Sequence, residues 1–256
     1  MGALAAERIK LTSVRSPWWC SAIIVVLGLG FAGLMGWVGK QAAADPTNSD
    51  EFAGLTPDLA ASGVSGFGIL VLSVLAALSV TSEYRFGIIR TTFQAMPRRW
   101  PVLVAKAVLI GLYGAVLTAV VAFAAVYLAK AVAGPAASGD LVFSDATNAR
   151  SMYGIPIYAF LCVVLAIGVG ALLRQSAAAI ALLLLWPLLL ENLVGLLGSV
   201  GRNIQPFLPF VNANHFLGQA TGIDFPWGPW GSLLYFAACV LVVFGAAVVV
   251  TDLRDA

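Results

Sequence analysis

Apolar positions in this chain neither alternate nor recur in a narrow stripe; they run on without interruption. Five stretches carry no charged residue: Trp18–Val38, Leu59–Ser82, Ala107–Ala129, Ser151–Leu173 and Phe225–Thr251. A sixth, from Gln175 to Gly198, is broken once, by Glu191. A helix rises 1.5 Å per residue, so about 20 residues cross a hydrocarbon core of about 30 Å. Lipid offers no hydrogen bonds to the backbone, and continuous helices satisfy their own. The pattern therefore predicts an all-α, polytopic membrane protein with six transmembrane helices, forming one domain over residues 1–256. Pro226 and Pro229 mark the start of the last span, where proline disturbs a helix little. Only Arg174–Gln175–Ser176 separates the fourth and fifth spans, which predicts a tight antiparallel hairpin.

Composition removes the soluble alternatives. Of 256 residues, 61% are hydrophobic and 10% charged, with a mean hydropathy of +0.95. Soluble domains carry roughly a quarter charged residues, so a soluble enzyme of this length is excluded. The net charge of +2 supplies no basic field for nucleic acid. Trp18–Val38 is 21 residues long, beyond the usual signal-peptide core of about 7–15, and reads as a retained anchor. Cys20, Cys162 and Cys239 each lie in an apolar run, at spacings that fit neither a disulfide framework nor a zinc site.

The basic residues set an orientation. With the amino terminus inside, Arg8, Lys10, Arg15, Arg85, Arg90, Arg98, Arg99, Lys106, Arg174 and Arg254 are cytoplasmic; only Lys40, Lys130, Arg150 and Arg202 are outside. Ten against four is a positive-inside asymmetry. It predicts a multi-pass plasma-membrane protein with both termini cytoplasmic, beginning with a cytoplasmic segment over residues 1–17. Gly39–Asp58 and Ala133–Arg150 become outer loops. The last outer connection, residues 199–227, contains Pro206, Phe207, Pro209, Phe210, Phe216 and Ile223, which suits a re-entrant or interfacial excursion.

One cytoplasmic connection has more design than a basic loop needs. Read as a helix from Glu83 over residues 83–96, it sets Glu83, Gly87, Arg90 and Gln94 on one stripe, with Phe86, Ile89 and Phe93 adjoining. Pro97 ends that helix and Pro101 starts the next span. Arg98 and Arg99 suit lipid phosphate. An acid facing anionic lipid is unhelpful, and glycine weakens a helix by up to about 1 kcal/mol, so the Glu–Gly–Arg stripe favours a closely approaching protein surface.

The pattern Glu83–Tyr84–Arg85–x–Gly87–x–x–Arg90–Thr91–Thr92, then Pro97–Arg98–Arg99, then Lys106, resembles the first coupling region of type 2 ABC transporter permeases, the drug and polysaccharide exporters. The opening Glu7–x–x–Lys10–x–x–Ser13–x–Arg15–Ser16–Pro17–Trp18–Trp19 is similar to actinobacterial members, as are Leu208–Pro209–Phe210 and the closing Leu253–Arg254–Asp255–Ala256. Val211–Asn212–Ala213 departs from the usual residues after the Pro–Phe pair. The resemblance implies half of an exporter: a permease paired with a second copy or a paralogue, docking a separate cytoplasmic ATPase through Glu83, Tyr84, Gly87, Arg90 and Phe93. ATP and magnesium would belong to that partner; this chain itself has no G-x-x-x-x-G-K-[ST] loop. No cofactor, metal or nucleic acid is expected here, and membrane lipid surrounds the chain. Hydrophobic drugs or antibiotics are the expected cargo, with lipid second.

Two rivals are weaker. An intramembrane enzyme needs catalytic polar groups in the spans, yet the one histidine, His215, falls in the last outer connection. The second span's serines, and Gly63, Gly66 and Gly68, suit backbone bonding and close helix packing. A secondary transporter needs several mid-membrane ionisable groups and related halves. Glu191 alone qualifies, either as a path residue or as a polar link to another helix or to the outer connection.

Overall fold

The computed structural model describes residues 3–44, 54–87, 100–135, 137–139, 141, 143, 145–220 and 222–253. Among them there are helices and turns and no strand. Six helices are long and apolar enough to cross a membrane. After a short α1 (Ala3–Ser13) these are α2 (Ser16–Ala44), α3 (Pro57–Arg85), α4 (Trp100–Ala133), α5 (Ala146–Leu173), α6 (Ser176–Gly195) and α9 (Pro229–Leu253). Two short helices, α7 (Gly198–Ile204) and α8 (Pro209–Leu217), lie between the last two spans. The spans extend past the uncharged runs at most ends, because a helix does not stop where lipid stops. Among the described residues the six long helices bring α1 and the end of α9 to one face of the bundle, called here the terminal face; α7 and α8 lie at the opposite, distal face.

Burial ranks the spans. In their most apolar windows 61% of α3 and 67% of α5 is buried, against 17% for each of α6 and α9. The inner pair therefore forms the core, and α6 and α9 turn most of their surface outward. Ile24, Leu72, Ile155, Ile167 and Phe236 are fully or almost fully enclosed. Contact is closest where glycine removes a side chain: a Cβ on Gly63 would stand 2.6 Å from Phe31 Cβ and 2.9 Å from the Leu27 carbonyl oxygen. Gly63 thus lets α3 seat against α2, whereas Gly66, also expected at a close contact, faces open space.

Local chemistry shapes two of the spans. Val64–Gly68 and Trp186–Leu190 are single π-turns inside α3 and α6. Pro187 has no N–H to give the ladder, and the widened turn resumes with the Glu191 N–H bonded to the Trp186 carbonyl. Within it Leu188, Leu189 and Leu190 face outward, while Glu191, the next residue, is buried. The α5–α6 hairpin turns on Arg174, whose φ is +53°. Ser176 Oγ then donates to Thr81 Oγ1 at 2.9 Å and pins the hairpin to α3.

Candidate functional site

Four ionisable side chains converge at the terminal face. Lys106 enters from α4, Glu83 from the last turn of α3, and Glu7 and Lys10 from α1. The Lys106 ammonium lies 2.7 Å from Glu7 Oε2 and 3.1 Å from Glu83 Oε1. Lys10 lies 2.8 Å from the same Glu83 oxygen and 3.0 Å from Glu7 Oε1. The side chains of Lys106, Glu7 and Glu83 are only 3%, 7% and 8% exposed, while Lys10 remains 39% exposed. Two cations and two carboxylates cancel, and that balance is what allows charge to be buried at all. Burial alone would lower the Lys10 pKa, but the Glu83 and Glu7 carboxylates outweigh it and hold the ammonium above its usual range. The cluster ties the amino-terminal helix to the bases of the second and third spans.

The sequence placed Glu83 at the start of a separate helix. In the structure it belongs to the membrane span itself, which ends at Arg85. Phe86 N–H still bonds the Ser82 carbonyl at 2.9 Å, and the chain then leaves the helix through Gly87 at φ +68°. That left-handed conformation is the usual reason for glycine just past a helix, and nothing lies within 4 Å of a Cβ built there. Within this chain the glycine is therefore explained by backbone conformation. The turn also breaks the Glu83–Gly87 continuation of the expected stripe. Tyr84 carries the Arg174 guanidinium 4.9 Å above its ring, and its buried hydroxyl has no hydrogen-bond partner among the described residues. Glu83 Oε2 is in the same position. Arg90, Phe93 and the rest of the 83–96 helix beyond Gly87 lie outside the described residues.

Glu191 acts at the distal face, far from this cluster. Its carboxylate accepts the backbone N–H groups of Phe210 (3.0 Å) and Val211 (2.7 Å) and the indole N–H of Trp186 (2.9 Å). It thereby caps the amino-terminal end of α8 from a different helix. At the other end of α8, Arg150 Nε donates to the Phe216 carbonyl at 2.7 Å. Acid at the amino end and base at the carboxyl end both complement the helix dipole. Asn212, at 0% exposure, donates to the Pro206 and Leu208 carbonyls and accepts from the Trp227 indole. His215 stacks on Phe225 at 3.8 Å, and its Nδ1 lies 2.8 Å from Ser232 Oγ. Partial burial, reinforced by Arg150, pushes the His215 pKa down. Of the two roles open to Glu191, the contacts are those of a polar link to the connection before the last span.

Sequence reasoning singled out Glu83 but not its partners as a site. A signal was present: Lys106 stands immediately before an uncharged run and Glu83 immediately after one, at the same membrane end. Glu7 completes the set only through folding. Among the described residues no group of three or more His, Cys, Asp or Glu side chains is placed to hold a metal. Comparison with protein-family models, with curated proteins and with solved structures returned no match.

Proposed function

We infer that this chain is the membrane-spanning permease subunit of an ATP-driven ABC exporter, with its terminal face cytoplasmic and its ATPase on a separate chain. The observation that carries the reading is the Glu83 cluster placed directly before the left-handed turn at Gly87. A segment leaving the bundle there is anchored at its root to α1, α3 and α4 at once. Force applied to such a segment by a docked ATPase would move the helix ends together. The permease-like residues from Glu83 to Lys106 give the same reading, and the basic asymmetry assigns this face to the cytoplasm. Glu191, the one ionisable group that interrupts an apolar run of the sequence and the one a secondary transporter had to offer there, is occupied in capping α8, which favours the ATP-driven alternative. The outward-facing Leu and Trp side chains of α6 suit a second permease half and a hydrophobic cargo, drug or antibiotic first and lipid second. The chain itself does no chemistry in this reading.

The test is co-purification and transport. The chain is co-expressed with an ABC ATPase from a neighbouring gene, reconstituted, and assayed for ATP-dependent movement of a fluorescent hydrophobic drug. Arg90→Ala should leave the permease in the membrane while weakening ATPase association and stimulation. Wild-type association and transport in that variant would remove the coupling assignment.

A further inference from the structure

The end of α3 is held on a second side, away from Lys106. Ala77, Thr81 and Tyr84 follow one another at spacings of four and three, so they share one face of the helix. Residues of α5 and of the α5–α6 hairpin meet all three. A Cβ on Gly170 would stand 3.2 Å from the Ala77 carbonyl oxygen and 3.4 Å from Thr81 Cγ2. Ser176 Oγ donates to Thr81 Oγ1 at 2.9 Å, and Thr81 is fully enclosed. Arg174 carries its guanidinium 4.9 Å over the Tyr84 ring, within the reach of a cation–π contact.

Turn geometry does not explain an arginine at this position. Its φ of +53° and ψ of 10° are left-handed, and every other described residue with a positive φ is a glycine. Glycine takes that conformation without strain. It would also close the turn, since the bond from the Arg174 N–H to the Gly170 carbonyl, 3.0 Å long, needs no side chain. What glycine could not supply is the group over Tyr84. Arg174 Nε and Tyr84 Oη are both buried, so the contact is desolvated, where cation–π attraction is strongest. The ring is the working part of Tyr84, because its hydroxyl has no hydrogen-bond partner among the described residues. Glu83, one residue earlier, pairs with Lys10 of α1 and Lys106 of α4. The last turn of α3 is therefore gripped twice, by charge on one side and by the hairpin on the other.

We infer that Arg174 is a positioning residue of the coupling path: through Tyr84 it makes the α5–α6 hairpin move with the end of α3. The inference rests on the exporter reading for its driving force, an ATPase acting on the segment beyond Gly87. The Glu83 cluster passes that displacement to α1 and α4, and Arg174 passes it to α5 and α6. Packed side chains with such contacts are what carries coupling between distant sites. Since α5 is the most buried span and α6 one of the two least buried, the route runs from the core to the outward-facing wall.

The tie is tested on the full-length permease alone, by thermal unfolding in detergent of Arg174→Gly, Tyr84→Leu and the double variant. In the wild-type background Arg174→Gly should lower the melting temperature. In the Tyr84→Leu background, with no ring to lose, the same change only relieves the backbone and should be neutral or stabilising. Tyr84→Phe keeps the ring and should restore the wild-type response. An equal effect of Arg174→Gly in all three backgrounds would leave Arg174 a turn residue only and overturn the inference.

The path is tested in the complex with the ATPase from the neighbouring gene. Arg174→Gly should keep ATPase association and ATP hydrolysis, while drug transported per ATP hydrolysed falls about tenfold, the scale of one desolvated cation–π contact. A folding defect alone would lower hydrolysis and transport together and leave that ratio unchanged. An unchanged ratio overturns the inference and leaves the exporter reading standing. Absence of both association and transport in the wild type removes the exporter reading, and the path with it.

Discussion

The ammonium of Lys106 and the carboxylate of Glu7, 99 positions apart in the chain, meet at 2.7 Å in a site where both side chains are nearly closed to solvent. Each group makes the burial of the other possible, since neither could be enclosed there alone. Lys106→Met leaves two carboxylates facing one ammonium, and breaking a buried pair in this way costs about 3–5 kcal/mol. The variant should lose thermal stability in detergent. Adding Glu7→Gln restores the balance, with Glu83 and Lys10 still paired at 2.8 Å, so the double variant should unfold at a higher temperature than Lys106→Met. An additive loss in the double variant would mean that charge balance is not what holds the cluster.

Glu191 holds two backbone donors and an indole. Glu191→Gln would keep one acceptor oxygen and bring an amide N–H₂ against the remaining donors; leucine would offer no acceptor. A buried donor left unsatisfied costs about 1–3 kcal/mol. Melting temperatures should fall in the order wild type, Glu191→Gln, Glu191→Leu, with the leucine variant failing to assemble. A leucine variant as stable as the glutamine one would remove the capping role.

Gly87 separates two explanations. If the residue is needed for its left-handed φ of +68°, Gly87→Ala costs roughly 1–2 kcal/mol and Gly87→Asn less, since asparagine enters that region more readily. If a partner surface comes close, the larger asparagine is the worse of the two. Local backbone strain predicts a smaller loss of melting temperature from Gly87→Asn than from Gly87→Ala and, in the exporter proposed above, the same order in ATP-driven transport; the reverse order in transport would point to the partner.

His215 gives a pH dependence. Its folded pKa lies below the ordinary value of 6.5, so the fold favours neutral imidazole. The stability this provides is intact above pH 6.5 and is lost as pH falls through the lowered value. Wild type should therefore lose melting temperature between pH 7 and 5 by more than His215→Asn does. Parallel curves for the two proteins would show that the histidine carries none of the dependence.

Orientation can be read with a membrane-impermeant thiol reagent after the native cysteines are removed. Asp145 and Arg85 are both exposed and stand at opposite faces. Asp145→Cys should label in intact cells and Arg85→Cys only after lysis. The opposite pattern would invert the assignment made from the basic residues.

The sequence alone determined the six helices, because an uncharged run of about 20 residues has one low-energy solution in lipid, and the helix period needs no tertiary contact to enforce it. It also determined the hairpin at Arg174–Gln175–Ser176 and the presence of something other than a solvated loop in residues 199–227. What it could not settle was the direction in which a polar side chain faces once it reaches the end of a span. The four-and-seven spacing of Glu83, Gly87 and Arg90 is equally compatible with a stripe that meets a partner and with a helix end whose acid turns inward. Glu83 turns inward because Lys106 and Lys10 are there to receive it. Likewise the isolated acid in the fifth span became a cap only when Phe210 and Val211 brought their N–H groups to it. Helix formation is a property of neighbours along the chain. The partner of a buried charge is a property of packing, and at this cluster it comes from 99 residues away.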